Sequence, residues 1–221
     1  MKTPVIIFGA KGMGKVALDI FQSNNVVVYC FLDDDESLHG KEIADIAVLG
    51  STTDDGFLKY IGKKCSAFIA SDDNKYRENL VEMLKTRRKV MPVNAIHNQA
   101  YVSEFAFIGH GNMVNAGVMV NANAKIANHC ILSAGAIIDF DAEMDDYVQI
   151  GAGSIVNSAV KIGKGAFIGS GVTIVSGVKI GKKARIGAGS VVVTDVPDGE
   201  TVFGNPAKPI NVKNIGNMDR D

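Results

Sequence analysis

Tryptophan is absent from this 221-residue chain, and histidine, proline and cysteine are scarce at four, five and three residues. Cys30, Cys65 and Cys130 lie far apart, with no CxxC spacing and an odd count. That pattern excludes a disulfide framework and a cysteine zinc site, and it leads us to expect reduced thiols in a cytoplasmic protein. No charge sign dominates either. Twenty-three basic against 24 acidic side chains leave a net charge of −1, so nothing global calls for nucleic acid or a membrane surface as partner. A long apolar run is missing too. The opening MKTPVIIFGAKG carries one early lysine and a short apolar stretch ending in glycine, which reads as a first β-strand and not as a signal peptide or membrane span.

What is present is a composition for packing: 47% apolar and 21% charged residues predict an ordered, soluble fold of one large or two small domains. Glycine is in excess, at 24 residues. It is entropically costly in regular structure unless tight turns or close backbone contacts require it.

A repeat uses many of those glycines. Stepping by six from Val102 gives Ile108, Val114, Val120, Ile126, Leu132, Ile138, Met144, Ile150, Val156, Ile162, Ile168, Ile174, Ile180, Ile186 and Val192, all aliphatic and without a break in register. Four residues after each anchor the side chain is mostly small or β-branched, as at Ala106, Val118, Ala124, Cys130 and Ala136. A period of six fits neither a helix at 3.6 nor an ordinary strand at two. Three short strands per coil, with every anchor inward, make a triangular β-helix whose coils bury their interior by stacking.

Residues 1–95 follow another rule. VIIF (5–8) leads into GAKGMG (9–14), a helix over 15–22 and a second strand, VVVYCF (26–31), ending at LDDDE (32–36). A strand over 46–49, a short helix over 54–60, a strand CSAFIA (65–70) and a helix over 73–87, capped by Asp73 or Asn74, complete it. Strands alternating with helices predict a small, mostly parallel α/β sheet. The expected division is therefore an α/β domain at 1–95, a β-helix at 96–200 and a C-terminal tail at 201–221, whose polar end after GNPAKPI (204–210) is expected to fray.

Two features carry chemistry. Gly9, Lys11, Gly12 and Gly14 stand between a strand and a helix, where glycines admit a diphosphate and the helix N-terminus offers free N–H groups. Asp33 falls about where a ribose-binding acid belongs, although 95 residues are too few for a full dinucleotide fold. The alternative is a merely structural turn. In the coil, residues eighteen apart share an edge. One edge is small throughout: Ala116, Ala134, Ala152, Ser170 and Ala188, flanked by Ser133, Gly151, Gly169 and Gly187 on one side and Gly117, Gly135, Gly153, Gly171 and Gly189 on the other. Such an edge exposes backbone to a flexible, amide-bearing ligand such as a pantetheine arm. The other edges carry Phe140, Asp146, Ser158, Lys164 and Lys182 at the matching position, so corner geometry alone does not impose smallness.

With strand–GAKGMG–helix, FLDDD at 31–35, the hexapeptide coil and GNPAKPI at 204–210, the whole chain resembles the bacterial nucleotide-sugar N-acyltransferases of the bacillosamine and sialic-acid type. The resemblance implies a left-handed coil, a homotrimer, a nucleotide sugar on the N-terminal domain and acyl-CoA between neighbouring coils, with no metal. By it, Gly9, Lys11, Gly12, Asp33 and Asp34 would touch the nucleotide sugar, with Gly14, Ser133 and Asp139 as further candidates. Gly151, Ala152, Gly169, Ser170, Gly187 and Ala188 would line pantetheine, and Lys182, Lys183 and Lys208 would meet the CoA phosphates.

One departure bears on mechanism. Where the family carries a histidine in a V-D-H-D-like stretch and a second nine residues on, this chain has Ile138-Asp139-Phe140-Asp141 and Gln149. Phenylalanine accepts no proton. His39 and His97 lie outside the coil, and His110 and His129 are one coil plus one residue apart and off the small edge. The histidines also lack the convergence of a zinc site. Asp139 and Asp141 are poor bases for an ammonium, with ordinary pKa values near 4, but good orienters of one. An amine attacking a thioester needs less help than a hydroxyl, so the expectation is N-acylation without a dedicated base, driven by proximity and a backbone oxyanion donor. A 4-amino-4,6-dideoxyglucose nucleotide of an anthrose-type pathway is the substrate considered, because that branch resembles the base-less pattern. The competing expectations are a sugar O-acetyltransferase and a non-catalytic nucleotide-sugar-binding relative.

Overall fold

The computed structural model describes residues 2–210. They form two compact units, one of Met1–Ala100 with Gly109–Ala116 and one of Tyr101–Ile108 with Gly117–Asp221. The tail residues 211–221 lie outside the described residues.

In the first unit, β1 (Val5–Phe8), α1 (Gly12–Ser23), β2 (Val28–Leu32), β3 (Glu42–Ile43), β4 (Ile46–Gly50), α2 (Asp55–Leu58), β5 (Ser66–Ile69) and α3 (Asn74–Arg88) follow in order. The sheet runs β3-β4-β2-β1-β5, parallel except for the β3–β4 hairpin. All four residues of β1 are buried, as expected of a strand covered on both faces. Ile6 and Phe8 pack with Cys30, Leu32, Leu80 and Leu84. Phe21 of α1 meets Phe68 of β5 edge to face at 5.5 Å. Asp73 is the cap of α3, accepting a hydrogen bond from the Tyr76 amide at 3.0 Å.

The starts of α1 and β2 differ from expectation for identifiable reasons. α1 begins at Gly12 and not at residue 15, because the Gly14 and Lys15 amides already bond to the Lys11 carbonyl at 2.6 and 3.3 Å. Gly14 has to be small there: a Cβ would lie 2.2 Å from the Gly9 carbonyl oxygen. β2 starts at Val28 and not at residue 26, since the Val26 amide is used in closing α1 against the Phe21 carbonyl.

In the second unit each strand is two residues long, and successive strands fall on three separate parallel sheets. Face I holds Ile131–Leu132, Gln149–Ile150, Phe167–Ile168 and Arg185–Ile186. Face II holds Tyr101–Val102, Met119–Val120, Ile137–Ile138, Ile155–Val156, Thr173–Ile174 and Val191–Val192. Face III holds Phe107–Ile108, Lys125–Ile126, Glu143–Met144, Lys161–Ile162 and Lys179–Ile180. The anchors from Val114 to Val192 are buried, as their spacing predicts. Ser154 is a polar exception inside the coil, satisfied by donating to the Gly169 carbonyl and accepting from the Val172 amide. At every sixth residue from Gly111 to Gly189 the backbone takes a positive φ, and this turns the chain at each corner.

The polar end expected to fray falls on residues 211–221, outside the described residues, whereas residues 201–210 form a hairpin. Thr201–Phe203 adds to face I beside Arg185–Ile186, and Lys208–Pro209 pairs back antiparallel. With Val202 buried, this hairpin satisfies the last edge of the face.

Candidate active site

β1 and β5 are parallel neighbours in the sheet, so their C-terminal ends bring the glycine loop and the loop after β5 side by side. A cleft of about 500 Å³ lies there, lined by Gly9, Lys11, Gly12, Met13, Asp33, Ala70, Ser71, Asp72 and Tyr76. Gly9 has φ +100, and a Cβ on it would sit 2.5 Å from the Ala70 carbonyl oxygen, so glycine lets the two loops approach. Lys11 at the start of α1 makes no side-chain cap, which leaves the Gly12 and Met13 amides uncapped toward an anion.

Sequence reasoning placed Gly9, Lys11, Gly12 and Asp33 here, and the structure brings them together. Gly14 is different: it is buried behind the loop and does not line the cleft. The loop Ala70–Asp72 and Tyr76 were missed, because strand order decides which loop faces the glycines. Their signal in the sequence was the polar run SDDN after the strand at 65–70.

The acids after β2 brace the cleft. Asp33 accepts the Ala10 amide at 2.7 Å on one carboxylate oxygen and the Asp35 amide at 2.9 Å on the other, so it clamps the glycine loop to β2. Asp34 is outside the lining. It accepts from the Thr52 amide and hydroxyl and from the Tyr76 hydroxyl at 2.8–3.0 Å. Burial acts to raise the Asp34 pKa, but these donors outweigh it and the net shift is downward. The Tyr76 phenol is pushed up to about 12, first by burial and then by the hydrogen bond to Asp34. Lys11 reaches Asp35 at 2.8 Å, and this contact holds the Asp35 carboxyl far below the usual range and raises the Lys11 ammonium.

In the coil, the small residues occupy the corner between faces I and II. Two causes of smallness separate there. A Cβ on Gly151 or Gly169 would lie 2.4 Å from the Ser170 amide nitrogen or 2.6 Å from that of Ala188, and one on Gly187 would meet the Phe203 ring at 2.1 Å. Coil stacking explains these three. A Cβ on Gly135, Gly153, Gly171 or Gly189 meets nothing within 4 Å. Their positive φ does not demand glycine either, since Asn123, His129, Asp141, Tyr147, Ala159 and Lys183 adopt it on the other corners. Packing thus leaves room for a side chain at these four positions, where the positive φ favours glycine without requiring it. Ala152, Ser170 and Ala188 stand exposed along it, and Ser133 begins it. Lys208 lies on the hairpin that extends face I. Lys182 and Lys183 instead sit on the corner between faces III and I, with the Lys182 amide bound to Asp198, so one chain does not gather the three lysines at a single place.

Residues 4–84 match the PglD N-terminal domain, and residues 141–176 and 159–194 match the bacterial transferase hexapeptide (six repeats). No curated protein matches the chain. Among solved structures, a His→Asn variant of perosamine N-acetyltransferase from Caulobacter crescentus, in complex with CoA and GDP-perosamine, is 31% identical over 96% of this chain and 98% of that one, with a TM-score of 0.86. The acetyltransferase domain of PglB from Neisseria gonorrhoeae, in complex with acetyl coenzyme A, is 30% identical over 95% and 100%, at 0.87. WeeI from Acinetobacter baumannii is 27% identical over 95% and 100%, at 0.83. The chain belongs to the hexapeptide-repeat nucleotide-sugar N-acetyltransferase family. Its coil is the left-handed β-helix of that family.

Phe140, at the family's histidine position, is half exposed on the corner between faces II and III. Of the acids beside it, Asp139 is committed: one oxygen accepts from the Asn121 side-chain amide and the Phe140 backbone amide, both at 2.9 Å. The Asp141 carboxylate makes no hydrogen bond or ion pair among the described residues. Gln149 lies on face I, between Ile131 and Phe167, so these two family positions fall on different parts of one chain's coil. His129 is buried and stacks on Tyr147 at 4.9 Å. His97 accepts from the Gln99 amide at 3.0 Å. No helix of the described residues is long and apolar enough to cross a membrane.

Proposed function

We propose that this family member transfers an acyl group from acyl-CoA to the amine of a nucleotide-linked amino-dideoxy sugar, without a histidine base. The observation that carries the reading is likeness over nearly the full length to N-acetyltransferases held with CoA and GDP-perosamine, joined to a phenylalanine where a base is expected. The cleft of Gly9, Lys11, Gly12 and Asp33 takes the diphosphate, and the bare corner through Ala152, Ser170 and Ala188 takes pantetheine. In this reading the chains act as a homotrimer, so that one chain's bare corner faces another's Phe140 corner.

The thioester supplies an activated acyl carbon: the amine forms the N–C bond, the C–S bond breaks, and the surplus proton leaves with the thiolate. The chain's own part is positioning and polarity. Backbone N–H groups on the glycine-rich corner stabilise the oxyanion, a kind of donor whose loss costs ~10²–10³ in rate elsewhere. Tethering the sugar through its nucleotide raises the effective concentration of the amine. Phe140 contributes an apolar wall that keeps the amine poorly solvated and neutral.

A thiol-release screen crossing 4-amino-sugar nucleotides, their hydroxy analogues and several acyl-CoAs tests this. Release with amino acceptors alone is expected. Release with hydroxy acceptors would assign an O-acetyltransferase. Nucleotide-sugar binding without release would assign a non-catalytic relative.

A further inference from the structure

The net charge of −1 conceals a segregation within the first unit. Residues 33–36 and 72–73, after β2 and β5, are all acidic and stand at the cleft end of the sheet. Residues 59–64 and 85–89 carry seven bases and no acid, and they stand at the other end. Lys63 and Lys64 precede β5. From the cleft α3 runs back for 15 residues, about 22 Å, and brings its last turn beside them. Arg88 joins the two segments by donating to the Lys59 and Ile61 carbonyls at 3.0 and 2.8 Å, and Arg87 is paired with Asp55. Lys63, Lys64, Lys85 and Lys89 are exposed, with no side-chain hydrogen bond or ion pair among the described residues. The negative end of α3 accounts for Lys85, Arg87 and Arg88, but not for Lys59, Lys63 and Lys64. Lys89 closes the helix at φ 57, a left-handed position where glycine is usual. Apolar tips stand among these bases. Val27 and Tyr29 are 63% and 49% exposed. The Val27 carbonyl accepts the Val5 amide and the Pro4 carbonyl accepts the Ser66 amide, at 2.9 and 2.8 Å, which sets residue 27 level with the start of β5. Tyr29 meets Tyr60 with ring centroids 6.2 Å apart, and Lys59 holds its ammonium 5.2 Å from the Tyr60 centroid.

We propose that this end of the first unit docks on an anionic lipid bilayer, the lysines meeting the headgroups while Val27, Tyr29 and Tyr60 enter the interface. Unpaired ammonium groups fit such a surface because each is drawn by its negative potential. Lysine stems and tyrosine rings both suit a boundary that is apolar on one side and wet on the other. A nucleic acid would draw on the same charge but would leave the exposed valine in water. Both arginines, the side chains suited to bidentate phosphate contacts, are already committed to Asp55 and to backbone carbonyls. That favours a diffuse negative surface over specific phosphate recognition. Docked so, the acidic cleft end of the sheet faces solvent, away from the lipid charge. The surface shares no residue with the cleft or the coil, so it stands or falls apart from the acyl-transfer reading.

Co-sedimentation of the full-length protein with vesicles tests this, using phosphatidylcholine alone and an equal mixture of phosphatidylcholine and phosphatidylglycerol. Binding to the mixture only is expected, with release as salt shortens the Debye length from about 10 Å at 0.1 M to about 3 Å at 1 M. Lys63→Gln combined with Lys64→Gln should weaken the partition coefficient by about tenfold or more, and Tyr29→Ser by about threefold. Both variants should keep the wild-type melting temperature, because the side chains they change are exposed. Lys179→Gln, an exposed lysine of the coil, should bind as wild type does. A wild-type protein that ignores the mixed vesicles overturns the proposal, and so does equal binding to both vesicle types. Wild-type binding by either variant, or an equal loss in Lys179→Gln, overturns it as well. Tighter binding of a single-stranded DNA oligonucleotide than of the mixed vesicles, lost in the same double variant, assigns the patch to nucleic acid and overturns it too.

Discussion

Phe140 and the acids around it bear most of the mechanistic argument at the scale of single residues. With no imidazole on that corner, replacement of the remaining histidines should matter little. His110→Ala is expected to lower kcat by less than about tenfold, well short of the ~10²–10⁴ lost with a general base; stopped-flow or endpoint thiol release measures it. His129 is a poor probe because it is buried against Tyr147, and its loss would act through packing. Asp34 gives a residue-scale prediction about stability. Its folded pKa is depressed by Thr52 and Tyr76 against the opposing effect of burial. A depressed carboxylate contributes stability that is present above its unfolded pKa of about 3.9 and is lost as pH falls through the folded value. Asp34→Asn should therefore reduce stability at pH 7 and flatten the acid limb of a urea-melt series below about pH 4. A mutant acid limb as steep as that of wild type would remove Asp34 from the account.

Elements were legible to the degree that their signal is local. The coil could be read from Val102 to Val192 because each anchor must be inward and each coil repeats the demand. The helix start was misread because glycine is a weak helix former, and only the contact between Gly14 and the Gly9 carbonyl explains why α1 begins there. The facing loop Ala70–Asp72 was illegible for a different reason: the order β3-β4-β2-β1-β5 is a tertiary fact. The glycine loop yields a paired prediction. Gly14→Ala drives a methyl to 2.2 Å from a carbonyl oxygen and should destabilise the first unit by about 1–3 kcal/mol, lowering Tm. Gly12→Val meets open space within 4 Å, so it should fold normally and raise the sugar-nucleotide KM alone. Normal sugar affinity in folded Gly12→Val would leave the loop as a structural turn.

For the whole molecule, the proposed function assigns nucleotide binding to the α/β unit and presentation of the acyl donor to the coil. The bare corner and the Phe140 corner are separate on one chain, so a complete site calls for neighbouring copies. A homotrimer is expected, and light scattering at micromolar concentration should return three times the 23.4 kDa chain mass; a monomer that still turns over would confine the site to one chain.

The central claim is acylation of an amine with no histidine base, and the pH dependence of kcat/KM for an amino-sugar nucleotide probes it most directly. Measured by thiol release in wild type and His110→Ala, it should rise with the neutral fraction of the substrate amine and keep the same midpoint in both proteins. A midpoint near the histidine range of about 6.5 that disappears on substitution, with a loss of more than about a thousandfold, would contradict the account.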